Sequence, residues 1–158
     1  MSSTIKVLLD STYLLLSFGI EILGLTDNDI IELREQALKN NVKFYCMTAS
    51  WTEIIGKVCR EAEHHGIDLC KLLYTVLSSI LEYELYTWIN PSTEAVKLAF
   101  KLRMLGHKDN IDNLLYATAT VNNMVFLTMD DEFKGFLKKH GLEVNNVKNH
   151  VQLIQELR

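Results

Sequence analysis

Residues 106–133, GHKDNIDNLLYATATVNNMVFLTMDDEF, decide the fold: they read as a helix, a turn and a buried strand, with acids at the helix start and past the strand. Ile111, Leu114, Leu115 and Thr118 recur at three- and four-residue spacing and so share one helical stripe. Ala117 and Ala119 allow close backbone approach, and Asn122-Asn123 stops the helix. Met124-Val125-Phe126-Leu127 is uniformly apolar, the pattern of a parallel strand covered on both faces. Its carboxyl end delivers Thr128 and Asp130, while Asp109 and Asp112, three apart, lie over one another in the first helical turn. One edge of the fold therefore gathers several carboxylates, and that edge is the candidate site.

Outward from this stretch the same alternation recurs. Thr4 to Leu9 is a strand with Asp10 directly after it, and Ser11-Thr12 begins a short helix through Phe18. After a connection from Gly19 to Thr26, Asp27, Asn28 or Asp29 caps a helix that Asn40-Asn41 closes. Val42 to Met47 is a second strand, and Ser50-Trp51-Thr52-Glu53 opens the next helix. A long helix, mostly core, is expected from Asp68 to about Tyr83, then a strand from Leu85 to Ile89 and a helix after Pro91. Glu132 to His140 reads as a helix, Leu142 to Val147 as an edge strand and Asn149 to Leu157 as a last helix. This predicts an α/β fold with a mostly parallel sheet of four or five strands, its right-handed crossovers covering both faces.

The totals narrow the function classes. A chain of 158 residues that is 48% hydrophobic and 23% charged, with one proline, reads as a single domain over residues 1–158 with a real core. The segment VLLDSTYLLLSFGI after Lys6 superficially resembles a signal peptide, but Asp10 interrupts it and no A-x-A-like site follows. No run approaches the roughly 18 apolar residues of a membrane span, so a soluble protein is expected. Cys46, Cys59 and Cys70 are odd in number and lack C-x-x-C spacing, which predicts reduced, structural thiols in a cytoplasmic setting. The net charge of -4 speaks against a broadly basic surface for nucleic acid. No G-x-S-x-G, P-loop or G-x-G-x-x-G pattern occurs, so serine hydrolase, NTPase and dinucleotide chemistry lack their anchors. His64-His65 reads as a partner of its helix's C-terminal dipole, and Trp51 and Trp88 as core or subunit-contact residues.

In an open parallel sheet, ligands collect outside the carboxyl ends of the strands. Asp10, Glu53 and Asp130 follow predicted strands, and the helix start brings Asp109 and Asp112 to the same edge. Carboxylates gathered there repel, and a hard divalent cation with oxygen ligands, Mg²⁺ or Mn²⁺, relieves the repulsion. Each acid also has a purely structural reading. Ser50 and Glu53 match a capping box, Asp10 fits the cap of the following helix, and Asp109 and Asp112 suit a first turn. Asp130 and Asp131 fit a turn that caps the helix through Phe133. Caps occur anywhere, whereas these acids converge on strand ends.

At the level of motifs the sequence resembles the PIN-domain family, especially VapC-like toxin ribonucleases, over essentially the whole chain. VLLDSTYLL is similar to the opening strand and D-[ST]-x-x-L motif, ASWTEIIGKV to the second motif, and DNLLYATA with NMVFLTMDDEF to the third and fourth. The resemblance implies a three-layer α/β/α sandwich and a metal-dependent endoribonuclease in which Asp10, Glu53, Asp112 and Asp130 hold Mg²⁺ or Mn²⁺. Thr12, Asp109 and Thr128 become auxiliary residues, Asp130 being chosen over Asp131 because Thr128 precedes it in a T-x-D arrangement. It also implies an RNA substrate, single-stranded by the same resemblance, and an antitoxin protein as partner; family habit and the long apolar helix together suggest a homodimer. Lys101, Arg103, Lys108 and Lys134 are candidates for guiding the RNA backbone, with a solvated face as the other reading. Rival functions are a catalytically silent PIN-like scaffold, an RNA-processing PIN nuclease outside a toxin-antitoxin system, and an aspartyl-phosphate phosphatase. The last would want a second acid where Thr12 stands.

Overall fold

The computed structural model describes residues 3–82 and 85–158. Five strands, β1 (Ile5–Leu9), β2 (Val42–Met47), β3 (Thr87–Ile89), β4 (Val125–Leu127) and β5 (Val147–Lys148), form one sheet in the order β3-β2-β1-β4-β5. Every pairing is parallel, so each connection has to cross over through a helix. The strand alternation divides the core between two faces. Leu8 and its β4 partner Phe126 pack with Met47, Leu115, Tyr116 and Phe133 on one side. Val7, Leu9 and Leu127 pack with Tyr13, Leu14, Ile54 and Ile80 on the other. The result is a three-layer α/β/α sandwich whose central strand is buried on both faces, at about 2 kcal/mol for each large apolar side chain removed from water.

The helices are α1 (Thr12–Leu15), α2 (Asp27–Lys39), α3 (Ser50–His65), α4 (Leu69–Leu77), α5 (Thr93–Met104), α6 (Asn110–Val121), α7 (Asp131–Lys139) and α8 (His150–Leu157). A 3₁₀ turn, Leu16–Phe18, continues α1. Of the two alanines expected to allow close approach, Ala117 of α6 is buried with Ala95 and Ala99 of α5 where the two helices pack, whereas Ala119 packs with Leu115 and Tyr116 in the sheet-facing core. Among the described residues no helix is long and apolar enough to cross a membrane.

Five local expectations are corrected. Helix α2 is capped by Thr26, whose side chain accepts from the Asp29 N–H while the Asp29 carboxylate takes the Thr26 N–H at 2.7 Å, so Asp29 closes a capping box one turn inside the helix. The long helix predicted to about Tyr83 ends at Leu77 and passes into a π-helical turn, Ser78–Glu82; Tyr83 lies outside the described residues. Nor is α4 mostly core: Val76 is buried, Leu69, Leu72, Leu73 and Leu77 are half-buried, and Tyr74 is 84% exposed. The edge strands are shorter than predicted, β3 starting at Thr87 and β5 at Val147. All three cysteines are free, but Cys70 is exposed, so the structural reading does not extend to it.

Candidate functional site

Strand β1 delivers Asp10 while the chain is still in the ladder, its N–H donating to the Leu127 carbonyl of β4 at 2.9 Å. The carboxyl group is 7% exposed and gripped on both oxygens: Thr128 Oγ1 donates to Oδ2 at 3.0 Å and Ser11 Oγ to Oδ1 at 3.4 Å. Its pKa is pushed up to about 6, first by burial and then by the charge of Glu53, with the Thr128 hydroxyl and the Lys57 ammonium pulling the other way. Asp10 does not cap α1, because its side chain is engaged elsewhere and no side-chain cap is present on that helix. Ser11 supplies the neighbouring hydroxyl, whereas Thr12 is the half-buried first residue of α1.

Glu53 sits in the first turn of α3, one strand away. The expected capping box is absent: α3 starts from Ala49 with no side-chain cap, and the Ser50 hydroxyl is buried without a partner. Glu53 is thereby released from the structural role its spacing suggested. One of its oxygens, Oε1, pairs with the Lys57 ammonium, and the other, Oε2, is buried with no hydrogen-bond partner.

On α6 the two acids divide. Asp109 is the N-cap, accepting from Ile111 N–H at 2.9 Å and Asp112 N–H at 3.1 Å. Asp112 is left without a capping duty and faces the acidic edge. Its pKa is pushed up to about 8, chiefly by burial, then by the charges of Asp10, Asp109, Asp130 and Glu53 in turn. Before this helix, the buried Asn113 holds the turn: its Nδ2 donates to the His107 carbonyl at 3.1 Å, and its Oδ1 meets His107 Nδ1 at 2.9 Å.

Asp130, not Asp131, caps α7, accepting from Phe133 N–H at 2.9 Å. Its own N–H donates to Thr128 Oγ1 at 3.1 Å, so the Thr128 hydroxyl bridges the loop of Asp130 to the carboxylate of Asp10. Thr128→Val removes that bridge and leaves a buried carboxylate short of a donor. It should destabilise the fold by about 1–3 kcal/mol, read from urea unfolding, and raise the Asp10 pKa further.

The acids of β1, α3, α6 and β4 are thus brought to one sheet edge. Sequence reasoning missed Lys57 and Ser11; Lys57 stands four residues after Glu53, the spacing of a helical ion pair. The side chains gathered there offer carboxylate oxygens, the chemistry that suits a hard cation, and Glu53 Oε2 is committed to no hydrogen bond. Among the described residues, however, no three His, Cys, Asp or Glu side chains form a ready group for a metal ion.

No family model matches the chain, and no curated protein matches its sequence. Solved structures do. A toxin-antitoxin complex from Klebsiella pneumoniae aligns with a TM-score of 0.56 at 14% identity, covering 91% of this chain and 97% of that one. PAE2754 from Pyrobaculum aerophilum aligns with a TM-score of 0.60 at 13% identity, covering 97% and 89%. The likeness is one of fold.

Proposed function

We propose that the protein is a PIN-type, metal-dependent endoribonuclease that acts in the cytoplasm as the toxin of a toxin-antitoxin pair. The observation that carries this reading is the convergence of Asp10, Glu53, Asp112 and Asp130, from four separate elements, on one edge of the parallel sheet. These residues would hold one or two Mg²⁺ or Mn²⁺ ions, which when bound supply hydroxide and offset charge developing on the phosphate. Ser11 and Thr128 orient Asp10, Asp109 fixes the helix start that carries Asp112, and the α7 cap fixes Asp130. Lys101, Lys108 and Lys134 remain candidates for guiding the RNA backbone, whereas Arg103 is partly committed to the Lys108 carbonyl at 2.6 Å.

An antitoxin has a fitting surface on the face shared by α3 and α4. A groove of about 350 Å³ between α3 and α4 is lined by Trp51, Ile55, Val58, Leu73, Leu77 and Leu81, with no polar lining. It suits the apolar face of a partner helix, and the fold-level neighbour described as a toxin-antitoxin complex supports the same reading. Homodimer formation is part of the proposal.

Purified protein should cut single-stranded RNA with Mn²⁺ and stop when EDTA is added; cleavage indifferent to chelation would sink the mechanism. The absence of a closed ligand group among the described residues favours one second reading, a silent scaffold. Calorimetric titration with Mn²⁺ separates the two, since a scaffold takes up no ion.

A further inference from the structure

We propose that Lys57 is a resident counter-ion of the acidic edge, occupying Glu53 until a divalent ion displaces it, so that this lysine sets how tightly the metal binds. The inference rests on the metal-dependent reading above and adds a residue to it. Lys57 and Glu53 are one turn apart on α3, and their side chains are 34% and 23% exposed. The Glu94–Lys97 pair of α5, at 68% and 67%, shows what a solvated helical pair looks like in this fold. Water screens that second pair more strongly than the first.

The lysine's reach extends past its own helix. Its charge also acts on Asp10, at the end of β1, opposing the effects of burial and of Glu53 there. The groups acting on Asp112 are acids without exception. Among the described residues, Lys57 is the basic side chain that makes an ion pair with any of Asp10, Glu53, Asp112 and Asp130.

The two Glu53 oxygens have unequal surroundings, Oε1 taken by the ammonium and Oε2 buried and unpartnered. A divalent ion can share both oxygens only by breaking the Lys57 pair. Metal and lysine therefore compete for one carboxylate. An opposite charge within about 4–6 Å typically changes a carboxylate's proton affinity by tenfold or more, and it opposes the binding of another cation in the same sense.

The experiment titrates Mn²⁺ into wild type, Lys57→Met and Lys57→Arg, reading the melting temperature and the calorimetric dissociation constant. Lys57→Met keeps the stem and loses the charge, and should bind Mn²⁺ about tenfold tighter. Lys57→Arg keeps the charge and should stay close to wild type. A surface pair with a purely structural role predicts no change in the dissociation constant for either variant. Unchanged or weaker binding by Lys57→Met, with wild type binding normally, overturns the Lys57 assignment and leaves the nuclease reading standing. No Mn²⁺ binding by wild type overturns both. Circular dichroism of each variant before titration confirms the fold, and should Lys57→Met not fold, Lys57→Gln carries the same expectation.

Discussion

Asp112→Asn should melt higher than the wild type in EDTA, gain little from Mn²⁺ and lose RNA cleavage by orders of magnitude. No cap is lost, since Asp109 accepts the N–H groups of that turn. What disappears is a part-buried carboxyl held at about 8 by burial and four neighbouring acids. Each pKa unit corresponds to about 1.4 kcal/mol, and after discounting for partial exposure a gain of about 3 kcal/mol near neutral pH is expected. For a chain of this size that is a rise of roughly 6–12 °C. Mn²⁺ at a hundredfold excess over its dissociation constant should add about 2.7 kcal/mol to the wild type and much less to the variant. Equal metal-induced shifts together with retained cleavage would return Asp112 to a plain first-turn acid.

The second large effect is on pH. Without metal, wild-type stability should fall as pH rises between about 4 and about 8. Asp10 and Asp112 have pKa values raised from 3.8 to about 6 and about 8, so over those windows the native state holds protons that the unfolded chain has released. The native state thus binds more protons, and the slope of stability against pH is negative. Their contribution is fully present below the unfolded value and is lost as pH climbs through the folded ones. Each retained proton corresponds to about 1.4 kcal/mol per pH unit before screening, so the fall is steepest below about pH 6, where both contribute. Asp29, lowered by its Thr26 hydrogen bonds, acts oppositely but only below its unfolded value. Urea midpoints across this range in EDTA, repeated with Mn²⁺, provide the check. A profile flat from pH 5 to 8 in EDTA would contradict it.

The sheet was legible because β1 and β4 are short apolar runs with an acid placed soon after each, a pattern set by burial on both faces. The fifth strand was overextended for a physical reason. Leu142 is apolar because it finishes α7: its N–H bonds the Leu137 carbonyl at 3.0 Å while Gly141, at φ 67°, bonds Lys138. An apolar residue that staples a helix end looks like strand in one dimension. In α4, likewise, leucines taken for core line a groove open to the surface.

At the acidic edge, spacing alone left Glu53 poised between cap and ligand. Only the backbone entry from Ala49 decides against the cap, and that geometry has no sequence signature. The division of labour between Asp109 and Asp112 was similarly hidden, because both residues suit a first turn and the hydrogen bonds choose between them. Lys57 was readable from its spacing to Glu53, but its closeness to Asp10 depends on how α3 packs beside β1.

The ladder between β1 and β4, with its Thr128 to Asp10 hydrogen bond, spans 118 residues of chain. A ribosome that has just released β1, β2 and β3 has exposed Asp10 and Glu53 but neither Asp112 nor Asp130, and β1 still lacks its second neighbour. Closing so long a loop comes late, and β4 must pair with β1 before the acids meet. Birth of the site thus waits for β4, and a chain stalled before residue 125 carries no assembled centre. On the nuclease reading proposed above, synthesis itself sets the delay before activity begins.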